Sequence, residues 1–248
     1  MADAVARKAP KARYGTEERI GVLTELLNER YSVRAFLPEP VPRETIEHLL
    51  TVAQRTASWC NSQPWEVVIA SGEAKEKFRK AIYAEASSGA PQDGDFEFPR
   101  EYLGVYLERR RESGFQLYNT LGITRGDRAA YARQALENYN FFGAPHVAII
   151  HTDEPLGVYG AIDCGAYVGN FMLAAQALGL GTIPQAALAR QNASSSALVS
   201  TKVGWPRSRQ PVSNGAASSS AMKCFAGPNF IGGLSFFHLV IAGRLSPT

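Results

Sequence analysis

The sequence predicts one domain in which helices and strands are mixed, and three observations carry that reading. Apolar residues recur at helical spacing in several segments between residues 17 and 178. Two short apolar runs, WEVVIA at 65–70 and HVAIIH at 146–151, have the length and composition of buried strands. No linker divides residues 15–190, and a chain of 248 residues can bury a sizeable core.

The elements follow in order. Residues 17–30 place Ile20, Leu23, Leu26 and Leu27 on one side of an amphipathic helix. A short extended piece, 31–36, runs into a turn rich in proline (Pro38, Pro40, Pro42). Pro42 then opens a second helix over 43–57, with Ile46, Leu49, Leu50 and Ala53 on one face. A loop at 58–64 leads into the first strand. Residues 73–86 form a charged amphipathic helix, 87–99 a loop, and 100–118 and 128–140 two further helices. After the second strand, residues 159–178 form a long helix that is apolar nearly all round, with Gly160, Ala161, Gly165, Ala166, Gly169, Ala174 and Ala175 among its small residues. With no good solvent face, that helix belongs in the centre of the protein or in an interface.

Charge divides the chain unevenly. The formal charge is +3 from 26 basic and 23 acidic side chains, yet all the acids lie in residues 1–190. Residues 191–248 carry only bases: Lys202, Arg207, Arg209, Lys223 and Arg244. The high isoelectric point is therefore a property of the tail and implies no nucleic-acid partner. Cys60, Cys164 and Cys224 match no disulfide framework or zinc-site spacing, and Cys60 and Cys164 read as plain buried thiols. The four histidines lack metal-site spacing; His146 and His151, at a strand, read as packed or hydrogen-bonded, so no metal is expected. Asp163 reads as a helix cap or local hydrogen-bonder, and Arg109, Arg110 and Arg111 as a solvated helix face. The N-terminus is basic without the apolar stretch of a secretory signal and reads as a disordered leader, residues 1–15. The longest apolar run, 230–243, is broken by glycines and His238 and is shorter than the ~20 residues that span a bilayer. A cytoplasmic protein without membrane contact is expected.

Three segments could carry chemistry. In an extended chain Arg30, Ser32 and Arg34 share a side, and two guanidinium groups with a hydroxyl suit an anionic ligand such as a phosphate. A solvated basic helix end would carry the same residues. In Ser58-Trp-Cys-Asn-Ser-Gln-Pro-Trp65 the amides of Asn61 and Gln63 can match the donor and acceptor edge of a heteroaromatic ring. A turn capped by Asn61 explains them equally, and Trp65 reads as core. In Gly179-Leu-Gly-Thr-Ile-Pro-Gln185 glycine permits close approach of a ligand, although a helix C-cap explains it too. No Rossmann, Walker or nucleophile-elbow signature is present, and no protein nucleophile or acid–base pair is readable. An enzyme built on this chain would rely on a cofactor.

Taken in this order, Arg30-Tyr-Ser-Val-Arg34, Asn61-Ser-Gln-Pro-Trp65, Phe141-Phe-Gly-Ala-Pro145 and the small-residue helix ending Gly179-Leu-Gly181 resemble the FMN-dependent nitroreductase family. Within it, the subset acting on nitrobenzoate-type aromatics is most similar. The resemblance covers residues 17–190 and implies an α+β fold: a helix/sheet/helix sandwich with a mostly antiparallel central sheet, assembled as a homodimer with two FMN at the interface. It implies that Arg30, Tyr31, Ser32 and Arg34 hold the flavin phosphate and pyrimidine edge. Asn61, with Ser58 and Gln63, would face the ring, and Pro184, Gln185 and Ala186 its other edge. Phe115 and Tyr118 become candidates for a substrate lid, and 159–178 the interface helix. The implied activity is ping-pong reduction of nitroaromatic or quinone-like acceptors by NADH or NADPH, with Arg34 as the cation beside the anionic reduced flavin.

After Arg190 the resemblance stops. Nine serines fall within 191–220, acids vanish, and neither the family's late strand nor its phosphate-binding base can be matched to Arg207, Arg209 or Arg244. Residues 191–248 are read as an atypical tail, either translated out of the ancestral reading frame from about residue 191 or a divergent, flexible extension. The competing functional reading is a flavin-poor or inactive dimeric remnant or binding protein.

Overall fold

A computed structural model of the chain describes residues 13–89, 91, 94–190 and 234–244. The greater part of the leader, the serine-rich segment with Arg207, Arg209 and Cys224, and the last four residues lie outside them.

Helix α1 (Thr16–Glu29) places Glu17 and Glu18 in its first turn, where acidic side chains complement the helix dipole. Helix α2 (Arg43–Ala53) follows Pro42 and buries the four residues the sequence singled out, Ile46, Leu49, Leu50 and Ala53. It stops four residues earlier than expected because Thr56 turns back: its hydroxyl donates to the Ala53 carbonyl at 2.7 Å and its N–H to the same oxygen at 3.1 Å. Strand β1 (Glu66–Ser71) runs directly into α3 (Gly72–Ser87). Helix α4 (Gly104–Thr120) begins later than expected, and α5 (Arg128–Leu136) is capped by the Asp127 carboxylate on the Ala130 N–H at 2.9 Å. Helix α5 ends short of residue 140 because Asn138 donates to the Ala135 carbonyl, and Phe141 and Phe142 adopt positive φ in the tight turn that follows. Strand β2 (His146–Asp153) then leads into α6 (Gly157–Ala177), which closes on Gly179 at φ +70 before β3 (Leu180–Gly181).

Strand β2 is buried along nearly its whole length because it has a helical layer on each face. Ala148 and Ile150 pack with Ile46, Leu49 and Leu50 of α2 and with Cys164, Tyr167 and Phe171 of α6. The alternate residues Val147 and Ile149 pack with Phe78 and Ile82 of α3 and with Phe141 and Phe142. This period-two division is the helix/sheet/helix sandwich that the family resemblance implies.

Strand β4 (Leu234–Arg244) corrects the reading of the tail. The sheet order is β1-β2-β4-β3 with antiparallel ladders throughout, so residues 234–244 occupy an interior position. The register slips beside Ala148 and Ile149, which pair with Val240 and His238, leaving Leu239 as the extra residue of a bulge. That slip and the glycines of the run hide the strand from a search for regular alternation. Gly243 allows a close approach: a Cβ there would lie 2.9 Å from Phe36 Cδ1 and 3.0 Å from Pro145 Cδ. A parallel bridge from Ser32 to Thr182 fastens the extended segment after α1 to the region beyond β3.

Candidate functional site

The bridge between Ser32 and Thr182 joins the first and third candidate segments. The Val33 N–H donates to the Thr182 carbonyl at 3.1 Å, and Val33 is buried. Arg34 and Tyr31 are exposed and Arg30 and Ser32 half-buried. The Arg34 guanidinium donates to the Ser32 carbonyl at 3.3 Å, and partial desolvation lowers its pKa from the ordinary value while leaving it charged. Among the described residues neither Arg30 nor Arg34 is in an ion pair. Two cations and a hydroxyl on one corner, uncompensated by carboxylates, are a donor set for a phosphate.

Beyond that corner, Pro184 and Ala186 are exposed but Gln185 is not. The sequence placed Gln185 on a ligand edge; its side chain is 3% exposed and donates to the Asn138 carbonyl and Oδ1, the latter at 3.0 Å. What this stretch offers a ligand is its backbone, together with Pro184 and Ala186.

The second segment is a tight, strained loop. Cys60, Asn61 and Gln63 all adopt positive φ, a conformation that costs a non-glycine residue of order 1–3 kcal/mol and persists only where surrounding bonds enforce it. Those bonds are visible. Ser58 Oγ accepts the Gln63 N–H at 2.9 Å, and both carboxylate oxygens of Asp163 accept the Trp59 N–H, at 3.1 and 3.3 Å. Asn170 donates to Thr56 Oγ1 at 2.8 Å just upstream. Asp163 is therefore a long-range anchor inside α6, where the sequence suggested a cap or local bond. The loop also carries a chain of amides: Trp65 Nε1 donates to Gln54 Oε1 at 3.0 Å, Gln54 Nε2 to Gln63 Oε1 at 3.1 Å, and Gln63 Nε2 to Asn61 Oδ1 at 3.1 Å. Trp65 is core, stacked on Tyr167 with ring centroids 5.0 Å apart. Cys60 is exposed, contrary to expectation, because the turn projects it outward; Cys164 is buried and its thiol is pushed up to about 12 by desolvation and by Asp163.

Within one chain the three segments do not all meet. Asp163 holds the 58–63 loop in the first third of α6, whereas Gln176 near the other end donates to Glu29 beside Arg30, at 3.5 Å. Thirteen residues of helix separate the two anchor points, about 20 Å of rise. On α4, where no residue is buried among those described, Phe115 lies under the Arg125 guanidinium at 4.9 Å and Tyr118 stacks on Tyr131 at 4.3 Å.

The two strand histidines have structural surroundings. His146 Nε2 accepts the Val41 N–H at 2.8 Å, which leaves Nδ1 as donor to Ser71 Oγ at 2.6 Å. Desolvation, with a contribution from Lys75, lowers its pKa and keeps it neutral. His151 lies 3.8 Å from Glu66. No group of three or more metal-ligating side chains exists among the described residues.

Comparison with known proteins places this arrangement. The Nitroreductase family model matches residues 27–212. The chain belongs to the nitroreductase family. It is 37% identical to nitroreductase NfnB of Mycolicibacterium smegmatis over 166 residues, covering 66% of this chain and 70% of the relative. To 4-nitrobenzoate reductase of Pseudomonas putida it is 34% identical over 161 residues, 65% of this chain and 70% of that one. The crystal structure of the FMN-dependent nitroreductase NfnB from Mycobacterium smegmatis, in complex with NADPH, superposes with a TM-score of 0.74 and 27% identity over 91% of this chain and 88% of its own. The match of this nitroreductase to its family continues past Arg190, where the sequence reading had ended it.

Three residues that shape the site were not legible in the sequence: Gln54, Thr56 and Asn170. Each is polar and stands at a helix end or on a helix flank, Gln54 and Thr56 buried and Asn170 exposed, and only the fold supplies its partner. Asp163 was visible as an acid in an apolar helix, which is the signal that it needs a partner.

Proposed function

We propose that this chain is an FMN-dependent NAD(P)H oxidoreductase that reduces nitroaromatic or quinone-like acceptors. The observation that carries it is the corner of Arg30, Ser32 and Arg34, whose cations are in no ion pair among the described residues and which is bridged through Ser32 to Thr182, in a chain of the nitroreductase family. The residues fit the cofactor: the guanidinium groups and Ser32 hydroxyl suit its phosphate and the electron-rich edge of its ring, with Tyr31 beside them. Bound FMN would supply two-electron transfer from NADH or NADPH to the acceptor. Arg34 stabilises negative charge on the reduced cofactor, as a fixed cation in a partly desolvated position does. Asn61, with Ser58 and Gln63, orients the ring; Pro184, Ala186 and the Gln185 backbone line its other edge; Phe115 and Tyr118 cover the acceptor.

The same reading requires two copies. The Asp163 anchor of the loop lies about 20 Å along α6 from Gln176, which is bonded to Glu29 beside the Arg30–Arg34 corner. The outer face of α6 exposes Val158, Tyr159 and Ile162 at 68%, 61% and 61%, with Trp59 of the loop packed on Tyr159. A second copy seated there brings its loop to the first copy's corner. The dimer is cytoplasmic in this proposal; no described helix is long and apolar enough to cross a membrane. The remnant reading is not favoured, since the family match continues to residue 212 and β4 completes the sheet. A leader (1–15), an FMN-binding body (16–190) and a tail (191–248) remain the proposed organisation, with the change of frame moved beyond residue 212. Translating the other frames of the gene tests this, and no family-like continuation in either frame rejects it.

The test of function begins with colour. The purified protein should carry an absorption band near ~450 nm that NADH or NADPH bleaches and that 4-nitrobenzoate restores. Protein that stays colourless after addition of FMN overturns the proposal. Subunit sharing is tested by mixing R30A/R34A protein with N61D protein. Mixed dimers hold one site with both defects and one with neither, so activity should return on exchange; if it does not, each site is built from one chain.

A further inference from the structure

We infer that Trp65, Gln54 and Gln63 form a one-way amide relay that fixes Asn61 as a hydrogen-bond donor toward the bound cofactor. The inference rests on the proposal that FMN lies against this loop. An indole N–H can only donate, so Trp65 dictates which end of the Gln54 amide faces it, the oxygen, at 3.0 Å. The Gln54 nitrogen must then point the other way, and it donates to Gln63 Oε1 at 3.1 Å. That places the Gln63 nitrogen outward, where it donates to Asn61 Oδ1 at 3.1 Å. Since the Asn61 oxygen is engaged by its neighbour, the exposed end of the relay presents Nδ2–H to the ligand. Asn and Gln amides can ordinarily turn over at little cost. Here a core ring that is 5% exposed and stacked on Tyr167 sets the orientation of an exposed amide three side chains away.

The positive φ values at Cys60, Asn61 and Gln63 have a purpose in this light: they fold the loop back so that its two amides continue the line from Gln54. The ligand group selected is an acceptor, a ring carbonyl oxygen or an unprotonated ring nitrogen. Gln54, Gln63 and Trp65 are positioning residues, since they act through Asn61.

The relay can be reversed. In Q54E the carboxylate accepts from both Trp65 and Gln63. The Gln63 amide then turns, its oxygen faces Asn61, and Asn61 turns its nitrogen inward and its oxygen to the ligand. FMN affinity of the full-length protein, measured by fluorescence quenching, should fall about tenfold in N61D, the expected loss of one well-placed hydrogen bond. Q54E alone should fall by a similar factor, and adding N61D to Q54E should change affinity by less than about twofold, because both then present oxygen. Equal N61D penalties in the two backgrounds overturn the relay.

Side-chain amide exchange by NMR supplies a readout that needs no FMN. In the wild type the Gln63 amide should be protected and that of Asn61 should exchange freely, and Q54E should protect Asn61. A protected Asn61 amide in the wild type overturns the inference. If Q54E fails to fold, W65F keeps the stacked ring and removes the donor; the N61D penalty should shrink in that background, and an undiminished one is equally fatal. Wild-type protein that binds no FMN refutes the proposed cofactor, and amide exchange then decides the relay by itself.

Discussion

Helix α2 sets Ile46, Leu49, Leu50 and Ala53 on one face and buries all four, whereas α1 does the same with Ile20, Leu23, Leu26 and Leu27 and leaves Ile20 and Leu27 each 53% exposed. The two patterns are alike and their surroundings differ. Helix α2 lies against the sheet and α6, while α1 meets α6 near its end, where Gln176 donates to Glu29. Helix α6 repeats the contrast within a single element: Gly160, Cys164, Tyr167 and Phe171 face the core, and Val158, Tyr159 and Ile162 face outward. An apolar stripe therefore demands a partner without saying whether the partner belongs to the same chain.

Truncation separates the two kinds of stripe most strongly. L49A should lower unfolding stability by about 2–5 kcal/mol, since a fully buried leucine leaves a cavity. L27A should change chain stability by no more than ~0.5 kcal/mol when measured on dissociated protein. A large L27A effect in that state would erase the distinction between α1 and α2.

Charge on the outer stripe of α6 comes next. I162E should shift the protein to monomers in analytical ultracentrifugation and weaken FMN retention, with the far-ultraviolet circular dichroism preserved. Gly165, which has nothing within 4 Å of an added Cβ, gives a paired measurement with Gly160, whose Cβ would meet Thr152 Oγ1 at 2.9 Å. G160A should destabilise the chain itself, and G165L should act only on association. A dimer that tolerates both I162E and G165L would show that this face is not the interface.

The inner face also has a pH signature. Because the folded His146 pKa lies below the ordinary 6.5, the unfolded chain binds the proton more readily. The full contribution to stability is present above pH 6.5 and is lost as pH falls through the lower folded value. The melting temperature should drop over that window, and H146N should flatten the drop. The smallest effect is chemical: Cys60 should react with a thiol reagent in the native protein, while Cys164, buried and held protonated, should react only on unfolding.

Much of this was legible in the chain. The core face of α2, the two apolar strands and the three candidate segments follow from spacing and composition, because local periodicity records which side of an element is dry. The inward turn of Gln185 was not legible, since its partner Asn138 lies 47 positions away. Nor was the partner of Asp163, the Trp59 N–H 104 positions away. Strand β4 was seen as an apolar run and missed as a strand, because its bulge breaks the alternation that identifies one.

The sequence by itself determined the element types, the buried faces and the chemistry available at Arg30, Ser32, Arg34 and Asn61. Only the tertiary structure decided that Ser32 is bridged to Thr182, that Gln63 is bonded to Asn61, and that a stretch remote from the family-like body completes the sheet. The reason is physical: side-chain pattern is set by neighbours three or four residues away, whereas hydrogen-bond partners and strand neighbours are set by packing between segments far apart in the chain.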